Sequence, residues 1–197
     1  MVTKVELEAA LSLVSKAAGH SAWVVGGSAG LLLRGIVLDA SPRDLDLYAD
    51  EADARSIHQA LAAYAVDRQE ESTTEQYRSI LSHYEIGGVS VELVGGFEVR
   101  DGRSLYKLEV REVLQPLGLK LNGSGDEAYT VVPLAHELWF NLLRSREDRL
   151  RQISEAMAAA PDCHLPAFHK IVQRNQLTAD LNNSACRWAG VKQEDQR

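Results

Sequence analysis

Apolar positions recur along this chain in two periods, and the places where the period changes divide it into elements. Thr3 and Glu6 stand in capping-box relation, and Val5, Ala9, Leu11, Leu13 and Val14 give the helix that follows an apolar side as far as Ala18, where Gly19-His20 ends it. Trp23, Val24 and Val25 form a short apolar strand that breaks at Gly26-Gly27-Ser28, and an apolar helix of about two turns starts at Ser28. A second strand opens with Arg43-Asp44-Leu45-Asp46-Leu47. The period of two places Asp44 and Asp46 on one face of that strand and turns Leu45 and Leu47 to the core.

Further on, Asp50 is placed to cap a helix reaching about Tyr64, with Ala54, Ile57, His58, Leu61 and Ala62 along one side. A strand over Ala65 to Arg68 follows, and the polar stretch Gln69 to Gln76, which has no apolar period, reads as an exposed loop. Tyr77 to Ile86 and Val89 to Val94 flank Gly87-Gly88 and predict a tight hairpin. Gly95-Gly96 introduces Phe97 to Asp101, and a short strand, Leu105 to Val110, comes after Gly102. Glu112 to Gly125 is mixed, Asn122 to Asp126 is a turn, and Tyr129 to Val132 is the last strand. Pro133 opens a helix from Leu134 to about Arg144. Ile153 to Trp188 is helical in pieces broken near Pro161 and Pro166, and Lys192 to Arg197 is a polar end.

This order predicts an α/β (α+β) fold, a mixed sheet flanked by helices, over residues 1–130, with a C-terminal helical region over 131–197. Its sharpest chemical feature is the aspartate pair. Adjacent carboxylates on a rigid strand repel unless a cation sits between them, and a hard divalent ion such as Mg²⁺ with phosphate oxygens supplies that charge. The glycines just upstream let main-chain N–H groups approach a phosphate, and the helix start adds its positive end.

Gly26-Gly27-Ser28 followed by Asp44-x-Asp46 on a strand resembles the signature of the DNA polymerase β-type nucleotidyltransferase superfamily. The likeness is strongest to its small bacterial branch of minimal, antibiotic-modifying and AbiEii-like toxin nucleotidyltransferases, and it runs to about residue 150. It implies a nucleotidyltransferase-like sheet and a third carboxylate from a later strand. Glu92, alternating with Val91 and Leu93, fits that place, with Glu85 and Glu98 as alternatives. The implied catalytic and metal-binding set is Asp44, Asp46 and Glu92, holding two Mg²⁺ ions. The implied nucleotide-binding set is Gly26, Gly27, Ser28 and Arg43. Ser28 either caps its helix or donates to a terminal phosphate, and both are compatible. Arg43 is either an ion-pair partner of the aspartates or a phosphate contact. The implied reaction moves a nucleoside monophosphate from a nucleoside triphosphate to a hydroxyl of a small molecule or protein and releases pyrophosphate. Two departures stand out. Fifteen residues separate Ser28 from Asp44, which makes Val37 to Pro42 a longer loop over the pocket, and Asn141 stands where AbiEii-like relatives usually carry a lysine, with Arg144 one turn along as a substitute. Both are compatible with a degenerate member that binds nucleotide without transferring it. A toxin–antitoxin component acting through protein contacts is a further reading.

Composition trims these possibilities. With 197 residues, 45% hydrophobic, the chain is long enough for a substantial core, and its formal charge of −7 argues against extended nucleic-acid binding. The start MVTKVELEAAL is not a signal peptide and no window approaches a membrane span, so a cytoplasmic location without membrane contact is expected. Cys163 and Cys186 lack CxxC spacing and are expected as free thiols, and Cys163, His164 and His169 lack a fourth zinc ligand. Arg144, Arg146, Arg149 and Arg151 are interleaved with Glu147 and Asp148, which reads as a solvated, salt-bridged helix face or as triphosphate contacts. No G-x-S-x-G elbow supports hydrolase chemistry.

Overall fold

The capping box at the start of the chain forms as read. Thr3 Oγ1 accepts the Glu6 amide at 3.3 Å and Glu6 Oε2 accepts the Thr3 amide at 2.7 Å, opening helix α1 over Lys4–Ala18. Its buried stripe is Leu7, Ala10, Leu11, Val14 and Ala18. Val5, expected on that side, is 75% exposed, because it lies about 200° round the helix from Leu7; Ala9 is exposed as well. The computed structural model describes residues 2–123 and 127–191. The part of the expected turn at Ser124, Gly125 and Asp126 and the polar end Lys192 to Arg197 lie outside the described residues.

The apolar run after α1 forms β1 (Trp23–Gly26), and α2 (Gly27–Leu33) follows without a break. Then come β2 (Leu45–Ala49), α3 (Glu51–Ala60), β3 (Glu70–Thr73), β4 (Tyr77–Ile86), β5 (Val89–Asp101) and β6 (Ser104–Lys107). A π-helical turn at Val110–Leu114 runs into the short α4 (Gln115–Leu117), and β7 (Leu119–Asn122) and β8 (Ala128–Val131) complete the sheet. Four helices end the described chain: α5 (Leu134–Leu143), α6 (Glu147–Ala158), α7 (Leu165–Arg174) and α8 (Ala179–Ala189). The strands form one eight-stranded sheet in the order β3-β4-β5-β2-β1-β8-β7, with β6 paired to β5. β2 with β5 and β1 with β8 are parallel and the other pairs antiparallel, the mixed sheet flanked by helices that was expected.

Several boundaries moved, each for a physical reason. The strand expected over Ala65 to Arg68 is reduced to one bridge between Ala65 and Tyr84, and the expected loop holds β3 instead. β3 is an edge strand with all four residues exposed, so it carries no apolar alternation to read. β5 runs straight through Gly95-Gly96. β6 ends at Lys107 because the chain turns into the π-helical segment, and the mixed stretch contains β7, exposed at the far edge of the sheet. Asp50 precedes α3 but does not cap it with its side chain; its carboxylate accepts the amides of Val110 and Arg111, each at 2.9 Å, and ties that turn to the helix start. α7 begins at Leu165, so Pro166 sits inside its first turn and breaks nothing.

The sheet has a buried layer on each side. Leu45, Leu47, Val91 and Leu93 point to the face packed by α1 and α3, where Leu7, Leu11, Ala54 and Ile57 meet them. Tyr48, Val94 and Val24 point the other way, into a core shared with α5 to α8 that includes Leu138, Trp139, Ile153 and Phe168. The C-terminal helices therefore cover the face that carries Asp46 and Glu92. Cys163 is exposed, Cys186 is buried, and both are free thiols. No helix among the described residues is long and apolar enough to cross a membrane.

Candidate active site

One transverse row of the sheet carries the site. Antiparallel pairing sets Gly26 at the end of β1 opposite Asp46, and parallel pairing sets Asp46 opposite Glu92 on β5. Residues in register across neighbouring strands present their side chains on a common face, so both carboxylates stand on the side covered by α5. Asp44 occupies the bend immediately before β2, which starts at Leu45 and not at Arg43. Oxygens of Asp44, Asp46 and Glu92 all lie within 4.8 Å of one another, and all three residues are half-buried. Of the three candidates for the third carboxylate, Glu92 is the one in the cluster. Glu98 is held by Arg100 at 2.6 Å and Lys107 at 3.0 Å, and Glu85 is exposed.

The glycine corner is shaped around these side chains. A Cβ on Gly26 would lie 2.1 Å from the Tyr48 ring, and one on Gly27 would lie 1.9 Å from Asp46 Oδ2. Gly27 also has φ +60, a left-handed conformation that costs a side chain about 1–2 kcal/mol. The helix begins at Gly27, and Ser28 Oγ accepts Arg149 Nη2 at 3.0 Å and does not cap the helix. The Gly27 amide, expected to be free for phosphate, donates to Glu137 Oε1 at 2.8 Å. Arg43 is exposed and makes no hydrogen bond or ion pair with the described residues, so it is not paired with the aspartates.

Sequence reading had left Glu137 out. This buried side chain of α5 is held by Asn141, whose Nδ2 donates to Glu137 O at 2.8 Å and Oε2 at 3.2 Å. Asn141 thus braces a carboxylate that fixes the glycine corner. Arg34, whose Nη2 donates to Val132 O at 2.5 Å, places its charge near Glu137, and burial depresses its guanidinium to about 10. A signal was available: Glu137 and Asn141 are four residues apart in LAHELWFNLL, a helix whose other residues, His136 aside, are apolar. Of the arginine-rich stretch, Arg146 pairs with Asp148 at 2.9 Å as a solvated face should, but Arg149 reaches Ser28. Arg144 lies over the Phe140 ring at 4.8 Å, and its charge acts on Asp46 and Glu92. The connection before β2 exposes Val37 at 87% and is tethered where Gln152 Nε2 donates to Asp39 Oδ2 at 3.4 Å.

Burial and mutual repulsion disfavour the charged forms of Asp46 and Glu92. Burial, then the charges of Asp44, Glu92 and Glu137, push the Asp46 carboxyl up to about 8, with Arg144 opposing them. Burial raises Glu92 too, and Asp44 adds to it, while His83 and Arg144 pull it back. Burial also raises Glu137 against the hydrogen bond from Gly27. Three carboxylate oxygens, no nitrogen or sulfur, and an unfavourable charge balance make a donor set that fits a hard divalent cation such as Mg²⁺.

No family model matches the chain, and no curated protein matches it. Solved structures do. TM1012 of Thermotoga maritima, described as a nucleotidyltransferase, superposes with a TM-score of 0.62 at 20% identity over 80% of this chain and 96% of its own. The lincomycin-bound lincosamide antibiotic adenylyltransferase LnuA matches at 13% identity and a TM-score of 0.47, covering 77% of this chain and 96% of its own. ANT(2")-Ia in complex with adenylyl-2"-tobramycin matches at 14% and 0.46, covering 96% of this chain and 98% of its own. With the glycine corner and the carboxylate row in place on such a sheet, the likeness to TM1012 shows that this chain has the nucleotidyltransferase fold.

Proposed function

We propose that this protein is a nucleotidyltransferase that moves a nucleoside monophosphate from a nucleoside triphosphate to a hydroxyl acceptor and uses Mg²⁺ held by Asp44, Asp46 and Glu92. The observation that carries this reading is the convergence of those carboxylates within 4.8 Å, two of them in register with the glycine corner. Mg²⁺, bound as one or two ions, supplies Lewis acidity that draws charge from the phosphates and lowers the pKa of the acceptor hydroxyl.

The chain's own groups do the positioning. Ser28 Oγ and the Arg149 guanidinium, already bonded to each other beside Gly27, form a hydroxyl and cation pair suited to the terminal phosphates. The Gly27 amide serves the architecture through Glu137, so the phosphate contact shifts to Ser28 and Arg149. Arg144, braced on Phe140, adds positive field beside the carboxylates in the place of the lysine that Asn141 replaces. The acceptor oxygen forms its bond to the α-phosphorus as the bond to the β-phosphate oxygen breaks, pyrophosphate leaves, and the hydroxyl proton passes to solvent at the half-open face. A small molecule or a protein fits the acceptor's part better than a polynucleotide, given the formal charge of −7.

Incubation with each α-³²P-labelled nucleoside triphosphate, Mg²⁺, and pools of hydroxyl compounds or host proteins tests this. The expected result is label on one acceptor class with equimolar pyrophosphate. Nucleotide binding by calorimetry without transfer to any pool would replace this reading with that of a degenerate nucleotide-binding protein, which the occupied Gly27 amide also suits.

A further inference from the structure

The row that holds Gly26, Asp46 and Glu92 has a fourth member. β4 and β5 pair so that His83 stands opposite Glu92 on the same face, and His83 Nε2 lies 3.8 Å from Glu92 Oε2. The other edge of the imidazole is gripped. Asp67 Oδ1 accepts the His83 main-chain amide at 2.8 Å, and Asp67 Oδ2 bonds His83 Nδ1. The segment carrying Asp67 is itself laid along β4 by the bridge from Ala65 to Tyr84 and by the Val66 amide, which donates to His83 O at 3.0 Å. Side-chain exposures of 38% for His83, 34% for Glu92 and 41% for Asp67 mean that packing alone does not fix these groups. The ring's direction is set by Asp67.

We propose that His83 is a positioning residue for the third carboxylate: held at Nδ1 by Asp67, it turns Nε2 to Glu92 Oε2 and restrains Glu92 within reach of Asp44 and Asp46. The inference rests on reading those three residues as cation ligands. A glutamate has several rotatable bonds, and on a half-exposed strand it keeps one orientation only if something outside the ligand set holds it. Outer partners of ligating carboxylates and imidazoles are worth about 10–100-fold in metal affinity or activity. A cross-strand neighbour in direct register, itself anchored from behind, is the geometry such a partner needs.

The test is Mn²⁺ binding to the full chain without nucleotide, followed by titration calorimetry and by the paramagnetic resonance signal of free Mn²⁺. His83→Ala is expected to weaken Mn²⁺ binding about tenfold or more, and Asp67→Ala to weaken it less, in the same direction. His83→Gln, whose amide nitrogen reaches toward the same oxygen, is expected to recover most of the loss. These are half-exposed positions, so melting temperatures in chelator should stay within about 2 °C of the parent, which separates positioning from misfolding. In turnover, the same variants should lower kcat with little change in KM for the acceptor. Mn²⁺ binding by His83→Ala within about twofold of the parent, while Asp46→Asn weakens it strongly, would overturn the role of His83 and leave the cation site standing. If Asp46→Asn bound Mn²⁺ as the parent does, the cation site would fall and the role of His83 with it.

Discussion

Asp46→Asn is expected to lose nucleotidyl transfer by at least about 10³-fold, since a Lewis-acid ion contributes several kcal/mol to the barrier and each 1.4 kcal/mol or so is tenfold. The same change should make the metal-free protein more stable above neutral pH. The Asp46 carboxyl is raised to about 8 by burial and by the neighbouring carboxylates, against about 3.9 in an unfolded chain. Folding therefore favours its protonated form. The stability this group allows is fully present below about pH 4 and is lost as pH rises through 8. Asparagine is neutral throughout and has no such loss. In chelator the two proteins should melt together at or below about pH 4, and the variant should melt increasingly higher as pH rises to 8.5. Mg²⁺ should then raise the melting temperature of the parent at pH 8.5 and leave the variant where it was. Parallel pH profiles for the two proteins would mean that Asp46 is not the strained group.

The second large effect belongs to Gly27→Ala. The new Cβ would stand 1.9 Å from Asp46 Oδ2, at a residue with φ +60. The left-handed conformation costs about 1–2 kcal/mol and overpacking about 1–3 kcal/mol more, together a fall of about 5–15 °C in melting temperature for a chain of this length. Relief comes only by moving the carboxylate or the corner, and moving the corner strains the bond from the Gly27 amide to Glu137. The variant should lose divalent-cation binding along with stability. Retained Mn²⁺ affinity in a folded Gly27→Ala protein would show that the glycine does not set the position of Asp46.

The glycine was read in the sequence as room for a phosphate, and its structural reason is room for a carboxylate. That difference marks how far sequence reading reaches here. Alternation along a strand made Asp46 and Glu92 legible because a period of two survives in any sheet with one buried face. The hairpin was legible from its Gly87-Gly88 turn, but the pairing of His83 with Glu92 that its register implies was not drawn from the sequence. β3 was not legible, because an edge strand exposed on both faces leaves no apolar trace. The link between Arg149 and Ser28 joins residues 121 positions apart, and only the docking of α6 beside α2 brings them together. Glu137 lay between these cases: its burial in an apolar helix was visible, but its partner, a main-chain amide of the glycine corner, was not.

The central claim is that Asp44, Asp46 and Glu92 share divalent cations beside a triphosphate, and crystals grown with Mn²⁺ and a non-hydrolysable nucleoside triphosphate analogue test it most directly. Anomalous difference maps should place Mn²⁺ about 2.1 Å from oxygens of those carboxylates, with phosphate oxygens completing the shell and the terminal phosphates near Ser28 and Arg149. Maps without Mn²⁺ among those oxygens, with the Arg144 guanidinium settled between them instead, would contradict it.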